Sequence, residues 1–186
     1  MQLKGIDRDE RCQDPMKHTV ARRSECPINF TLELLGDPWS LLVVRDIVYF
    51  GKRTFGEFLS STEGMARNIL SARLTRLQER GILQSAVHPT DGRKEVYTLT
   101  ETGVGLVPLL LAAADWGAEH APSTDAPPWW IELVRERRDE LTQLISEAVR
   151  EGRSVFVGGD SVVAELAGRT PTRPSRESGQ HTVGPE

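Results

Sequence analysis

The chain has 186 residues, 27% of them charged and 38% hydrophobic, and a formal net charge of -4. That length carries one ordinary domain with a real core, and the composition excludes fibrous and low-complexity proteins. The acidic balance argues against indiscriminate nucleic-acid binding; the longest apolar run, LVPLLLAAA at 106–114, is too short for a bilayer, and the charged start MQLKGIDRDERCQD lacks a signal-peptide core, so a cytoplasmic location is expected.

Residues 1–25 are polar without a sustained period and read as a flexible arm. From Cys26 the pattern sharpens: Pro27 suits a first helical position, Ile28, Leu32 and Leu35 recur at helical spacing, and Gly36 suits the end. Asp37 and Pro38 read as the N-cap and first residue of a second helix, WSLLVVRDIVYF, apolar on most sides and stopped by Gly51. FGEFLSST is a short helix with Phe55, Phe58 and Leu59 inward, and EGM is a tight turn into the segment 64–83. Two helices joined by a brief turn make a helix-turn-helix candidate.

In GMARNILSARLTRLQERGIL, at ~100° per residue, Leu70, Leu74 and Leu77 share one face. Asn68, Ser71, Ala72, Thr75 and Arg76 fall opposite, flanked by Arg67 and Arg73. Between Gly64 and Lys94 the basic residues meet only Glu79 and Asp91, which predicts one basic face on an otherwise acidic body. After Gly81, ILQSAVH switches to period two, PTDG is turn chemistry, and EVYTLT is a second strand with Tyr97 and Leu99 on one face. A hairpin results whose tip carries Arg93 and Lys94.

Thr100 caps a predicted core helix over 101–119, with Val104, Val107, Leu110, Leu111, Ala114 and Trp116 leaving little polar surface; a second subunit would cover part of it. APSTDAPP is a linker, residues 129–152 read as one long amphipathic helix, SVFVGG as a short strand, DSVVAELAG as a last helical piece, and 169–186 as a disordered tail. Trp129 and Trp130 either anchor the long helix on the core, the reading favoured here, or line a pocket for a small apolar effector.

The order helix, helix, short helix, basic helix, hairpin, helix is that of a winged helix-turn-helix, mainly α with a small β-hairpin wing and a further C-terminal helical extension. Such a helix fits the DNA major groove while the wing reaches flanking backbone or minor groove. The predicted DNA-binding residues are Arg67, Asn68, Ser71, Arg73, Thr75 and Arg76 on the helix, and Arg93 and Lys94 in the wing. Arginines fix register on phosphates, and the short polar side chains reach base edges.

The segments CPINFTLELLGDPWSLLVVRDI, RTFGEFL, GMARNILSARLTRLQERGIL and YTLTETG together resemble the HxlR-type transcriptional regulators, relatives of the MarR-type winged-helix proteins, over roughly residues 26–119. The resemblance implies a DNA-binding and dimerisation domain over 26–120 with the extension at 121–168. It also implies a homodimer on an inverted-repeat operator, acting as a repressor, with the first and last family helices in the dimer contact. Pro38 departs from the family, which usually has a basic residue there. Some members of that family sense oxidants or electrophiles through a cysteine matching Cys26, which sits at a helix N-terminus where the dipole favours thiolate. The plain alternative for Cys26 is a small packed hydrophobe.

No catalytic apparatus is visible: there is no Gly-x-Ser-x-Gly elbow, Walker loop or H-E-x-x-H helix, and TGVGLVP lacks the third glycine of a dinucleotide fingerprint. Cys12 and Cys26 form no C-x-x-C pair, and His18, His88, His120 and His181 are scattered, so neither metal nor cofactor is expected. Arg45 and Asp46, inside an apolar helix, read as a structural pair. The competing reading is a winged helix used as a protein-interaction module, which a steep salt dependence of DNA binding would exclude.

Overall fold

The computed structural model describes residues 24–121 and 123–169. Most of the arm expected over 1–25, Cys12 included, and all but the first residue of the expected tail lie outside the described residues.

Helix α1 (Pro27–Leu35) opens on its proline and closes at Gly36. Helix α2 (Ser40–Phe50) begins two residues later than the Asp37-Pro38 pair predicts. Asp37 still does the capping: its carboxylate accepts from the N–H groups of Trp39 and Ser40 at 2.9 and 3.0 Å and from Ser40 Oγ at 2.5 Å, holding 37–39 as a turn ahead of the helix. Val43, Val44, Ile47 and Val48 are essentially inaccessible, as the all-round apolar pattern requires of a central helix. Gly51 ends it at φ 66°, a left-handed position that favours glycine.

A reciprocal capping box between Thr54 and Glu57 starts α3 (Phe55–Leu59). In α4 (Arg67–Glu79) the predicted face of Leu70, Leu74 and Leu77 is buried, and Gly81 turns the chain at φ 67°. Strands β1 (Leu83–His88) and β2 (Asp91–Leu99) pair antiparallel from Leu83 opposite Leu99 to Val87 opposite Glu95. There the register jumps to His88 opposite Asp91, leaving Gly92, Arg93 and Lys94 as slack at the wing tip.

The single helix expected over 101–119 is two: α5 (Glu101–Val104), capped by Thr100 Oγ1, and α6 (Val107–His120). Pro108 has no N–H to continue the ladder, so it falls in the first turn of a new helix. Trp116, one of the apolar residues of the expected helix, is 68% exposed in the single chain and stacks on His120 with ring centroids 4.4 Å apart. The long amphipathic helix is also divided, into α7 (Pro128–Glu136) and α8 (Arg138–Arg150), at Arg137. Neither Gly nor Pro marks that break; it lets both helices bend around α6, on whose Asp115 Arg135 and Arg138 converge at 2.6 and 2.5 Å. Trp130 is 1% exposed and packs in the core, and Trp129 stays at the surface.

SVFVGG forms no strand. Its N–H groups serve the end of α2 instead: Val155 donates to the Val48 carbonyl at 2.9 Å and Phe156 to that of Tyr49 at 3.0 Å, satisfying carbonyls a helix terminus leaves open. The chain ends its described course in α9 (Val162–Arg169). One contiguous core joins Ile47, Leu70, Leu77, Leu111, Trp130 and Ile145. The fold is thus mainly helical, a winged helix-turn-helix whose C-terminal helices share its core. No helix among the described residues is long and apolar enough to cross a membrane.

Candidate nucleic-acid interface

Burying Leu70, Leu74 and Leu77 fixes which side of α4 faces solvent. Arg67, Asn68, Ser71, Ala72 and Thr75 are all exposed. Thirteen residues make a rod of about 20 Å, and a surface of short polar side chains with an arginine at its leading end fits a groove about 12 Å wide. Ala66, at the N-cap of α4, makes no side-chain capping hydrogen bond. The Arg67 guanidinium lies 5.4 Å from the Phe55 ring centroid, which steadies it against α3.

Arg73 and Arg76 stand differently from the other four. Arg73 Nη1 lies 3.4 Å from Asp37 Oδ2, and Arg76 Nη2 donates to the Glu33 carbonyl; both are half-buried, tying α4 to α1 and to the turn before α2. Burial pushes the Asp37 carboxyl up, but hydrogen bonds from Ser40 and the Trp39 and Ser40 N–H groups, with the Arg73 charge, bring it below the usual range. Arg73 Nε and Arg76 Nε are buried without a hydrogen-bond partner among the described residues.

At the wing, the Arg93 side chain is 93% exposed and that of Lys94 60%. Both pair with Asp91, at 3.4 and 3.2 Å, and the Lys94 and Arg93 contacts hold that carboxyl below its ordinary range. The pairs are solvated and weak, so a phosphate can replace Asp91 as partner at small cost.

A cluster that sequence reading resolved only in part holds the turn between α3 and α4. Asp46, 3% exposed, accepts from Arg45 Nη2 at 2.6 Å, from Lys52 Nζ at 3.2 Å and from Ser61 Oγ. Arg45 also clasps Glu63, and that hydrogen bond above all holds the Glu63 carboxyl down at about 2. The Arg45–Asp46 pair was legible; Lys52, Ser61 and Glu63 sit in polar loop stretches with no spacing signal that links them to it.

Cys26 is exposed at the N-cap of α1, with no side-chain capping bond. Ile28 and Leu32 on α1 and Leu109 and Trp116 on α6 are large apolar residues left exposed at helical spacing.

The HxlR-like helix-turn-helix family profile matches residues 34–125, from the end of α1 through α6. An HTH-type transcriptional regulator of Mycobacterium tuberculosis (strain CDC 1551 / Oshkosh) is 37% identical over 97 residues, 52% of this chain and 60% of that one, so the match spans less than two thirds of that relative. The HTH-type regulator YybR of Bacillus subtilis (strain 168) is 30% identical over 101 residues, 54% of this chain and 80% of that one. The crystal structure of PA1607 shares 39% identity and a TM-score of 0.51, covering 57% of this chain and 72% of that one.

Proposed function

The chain belongs to the HxlR-like helix-turn-helix family of transcriptional regulators, and on that premise we propose that it is a cytoplasmic homodimeric repressor, not an enzyme, that binds an inverted-repeat operator in double-stranded DNA. The observation that carries the reading is the solvent-facing side of α4, where Arg67, Asn68, Ser71 and Thr75 stand free of the core. Asn68, Ser71 and Thr75 read base edges, and Arg67 meets base or phosphate. Arg73 and Arg76, already braced against Asp37 and Glu33, set the angle of the helix and offer their outer edges to phosphate. Arg93 and Lys94 take the flanking backbone.

Dimerisation through α1 and α6 covers Ile28, Leu32, Leu109 and Trp116 and spaces two recognition helices about 34 Å apart, one turn of DNA. Cys26 lies exposed at the start of α1, so its modification by an oxidant or electrophile alters the dimer contact and, with it, the spacing.

Fluorescence anisotropy on the DNA upstream of the gene, against a scrambled duplex and at two salt concentrations, tests this. Expected is a salt-sensitive preference for the upstream duplex that weakens on oxidation and persists on oxidation of Cys26→Ser. Absence of binding even at low salt would instead favour the protein-interaction module.

A further inference from the structure

Between α2, the α3–α4 turn and the C-terminal helices lies a cleft of about 720 Å³, inside the range of roughly 300–1,000 Å³ that holds small organic ligands. Its floor is aromatic. Phe156 stands 5.4 Å from Tyr49, 5.1 Å from Trp130 and 6.3 Å from Phe50 between ring centroids, so the rings brace one another without a ligand. Phe50 and Val157, also in the lining, remain 39% and 54% exposed. Apolar side chains gathered open at a concave site, rather than scattered singly, mark binding.

The charges of the lining select the ligand class. Arg45 and Lys52 are balanced by Glu63 and Asp125. Both cations are also engaged by Asp46. Burial pushes the Tyr49 hydroxyl up to about 12, so the floor is uncharged near neutral pH. An ion entering the cleft would lose its hydration and meet no net opposite charge.

The walls give the consequence. On one side stand Ser60, Thr62 and Glu63 of the turn that leads into α4; on the other stand Trp130, Ile131, Phe156 and Val157, all beyond residue 125 where the family match ends. The site is therefore built by this chain's own extension against the helix-turn-helix.

We propose that this cleft binds a small, uncharged, planar aromatic compound, and that its occupancy shifts the α3–α4 turn and so the affinity of α4 for DNA. The second half rests on the DNA-binding reading; occupancy itself does not, and is measured without DNA.

Isothermal titration of the full chain with 9-phenanthrol, 9-phenanthrenecarboxylate and 9-(aminomethyl)phenanthrene compares one ring system as neutral, anionic and cationic forms. The neutral compound should bind one per chain, at least tenfold tighter than either ion. Phe50→Ala and Val157→Asp, both at exposed positions and checked for an unchanged thermal midpoint, should each weaken it about tenfold. 9-Phenanthrol at its wild-type dissociation constant should change operator affinity severalfold in the wild type and little in Val157→Asp. No binding, preference for an ion, or indifference to both substitutions would overturn the site. Ligand binding with unchanged operator affinity would overturn the coupling, whereas ligand binding by a chain that ignores DNA would uphold the site and refute the proposed function.

Discussion

Replacing Asp46 with alanine should detach the helix-turn-helix turn from α2. The carboxylate is 3% exposed and joins Arg45, Lys52 and Ser61. Removing one partner of a buried ion pair costs about 3–5 kcal/mol because the other charge is stranded. Here the stranded cations are partly wetted, with side chains 21% and 20% exposed, and Arg45 keeps Glu63. The loss therefore belongs at the low end, about 3 kcal/mol. Urea unfolding followed by circular dichroism, at fixed protein concentration because the proposed dimer would make the midpoint depend on it, reads this as a lower midpoint at unchanged slope. Operator affinity should also fall at temperatures where the variant is still folded. A loss under about 1 kcal/mol, the worth of a solvated surface pair, would refute the claim that this cluster holds the turn.

Glu63 gives a pH signature. Its folded carboxyl titrates at about 2, against an ordinary 4.5, chiefly through its bond to Arg45, so its contribution is complete above pH 4.5 and is lost as pH falls through about 2. Glu63→Gln should melt below the wild type at pH 7 and converge with it near pH 2; a gap that persists in acid would assign the effect to packing. Ala at both Arg93 and Lys94 should weaken operator and scrambled DNA alike, lowering the slope of log affinity against log salt by about 0.9 for each phosphate the wing no longer neutralises. Trp116→Glu should raise the dimer dissociation constant at least tenfold in analytical ultracentrifugation, and an unchanged constant would move the interface away from α6.

Where sequence periodicity controls burial, the sequence was legible. Leu70, Leu74 and Leu77 recur at helical spacing and are buried together, and that alone oriented the polar face of α4. Gly51 and Gly81 ended their elements because the left-handed backbone there favours glycine. Long-range partners were not legible. Arg76 lies on the sequence face opposite the leucines and Arg73 at its flank, yet the Glu33 carbonyl of α1 and the Asp37 carboxylate of the following turn engage them. Trp116 has the hydropathy of a core residue, and only the packing of α6 decides that it faces out. Likewise SVFVGG carries a strand's composition, but the open carbonyls of α2 claim its N–H groups.

Base reading by α4 is tested most directly by the affinity of wild type and Asn68→Ala for an operator substituted one base pair at a time. At the position Asn68 reads, the wild type should lose about 1–3 kcal/mol on substitution while the variant loses nothing further, keeping its preferences elsewhere. If Asn68→Ala, and likewise Ser71→Ala and Thr75→Ala, retain every base preference of the wild type, the outward face of α4 does not read DNA and the proposed function fails.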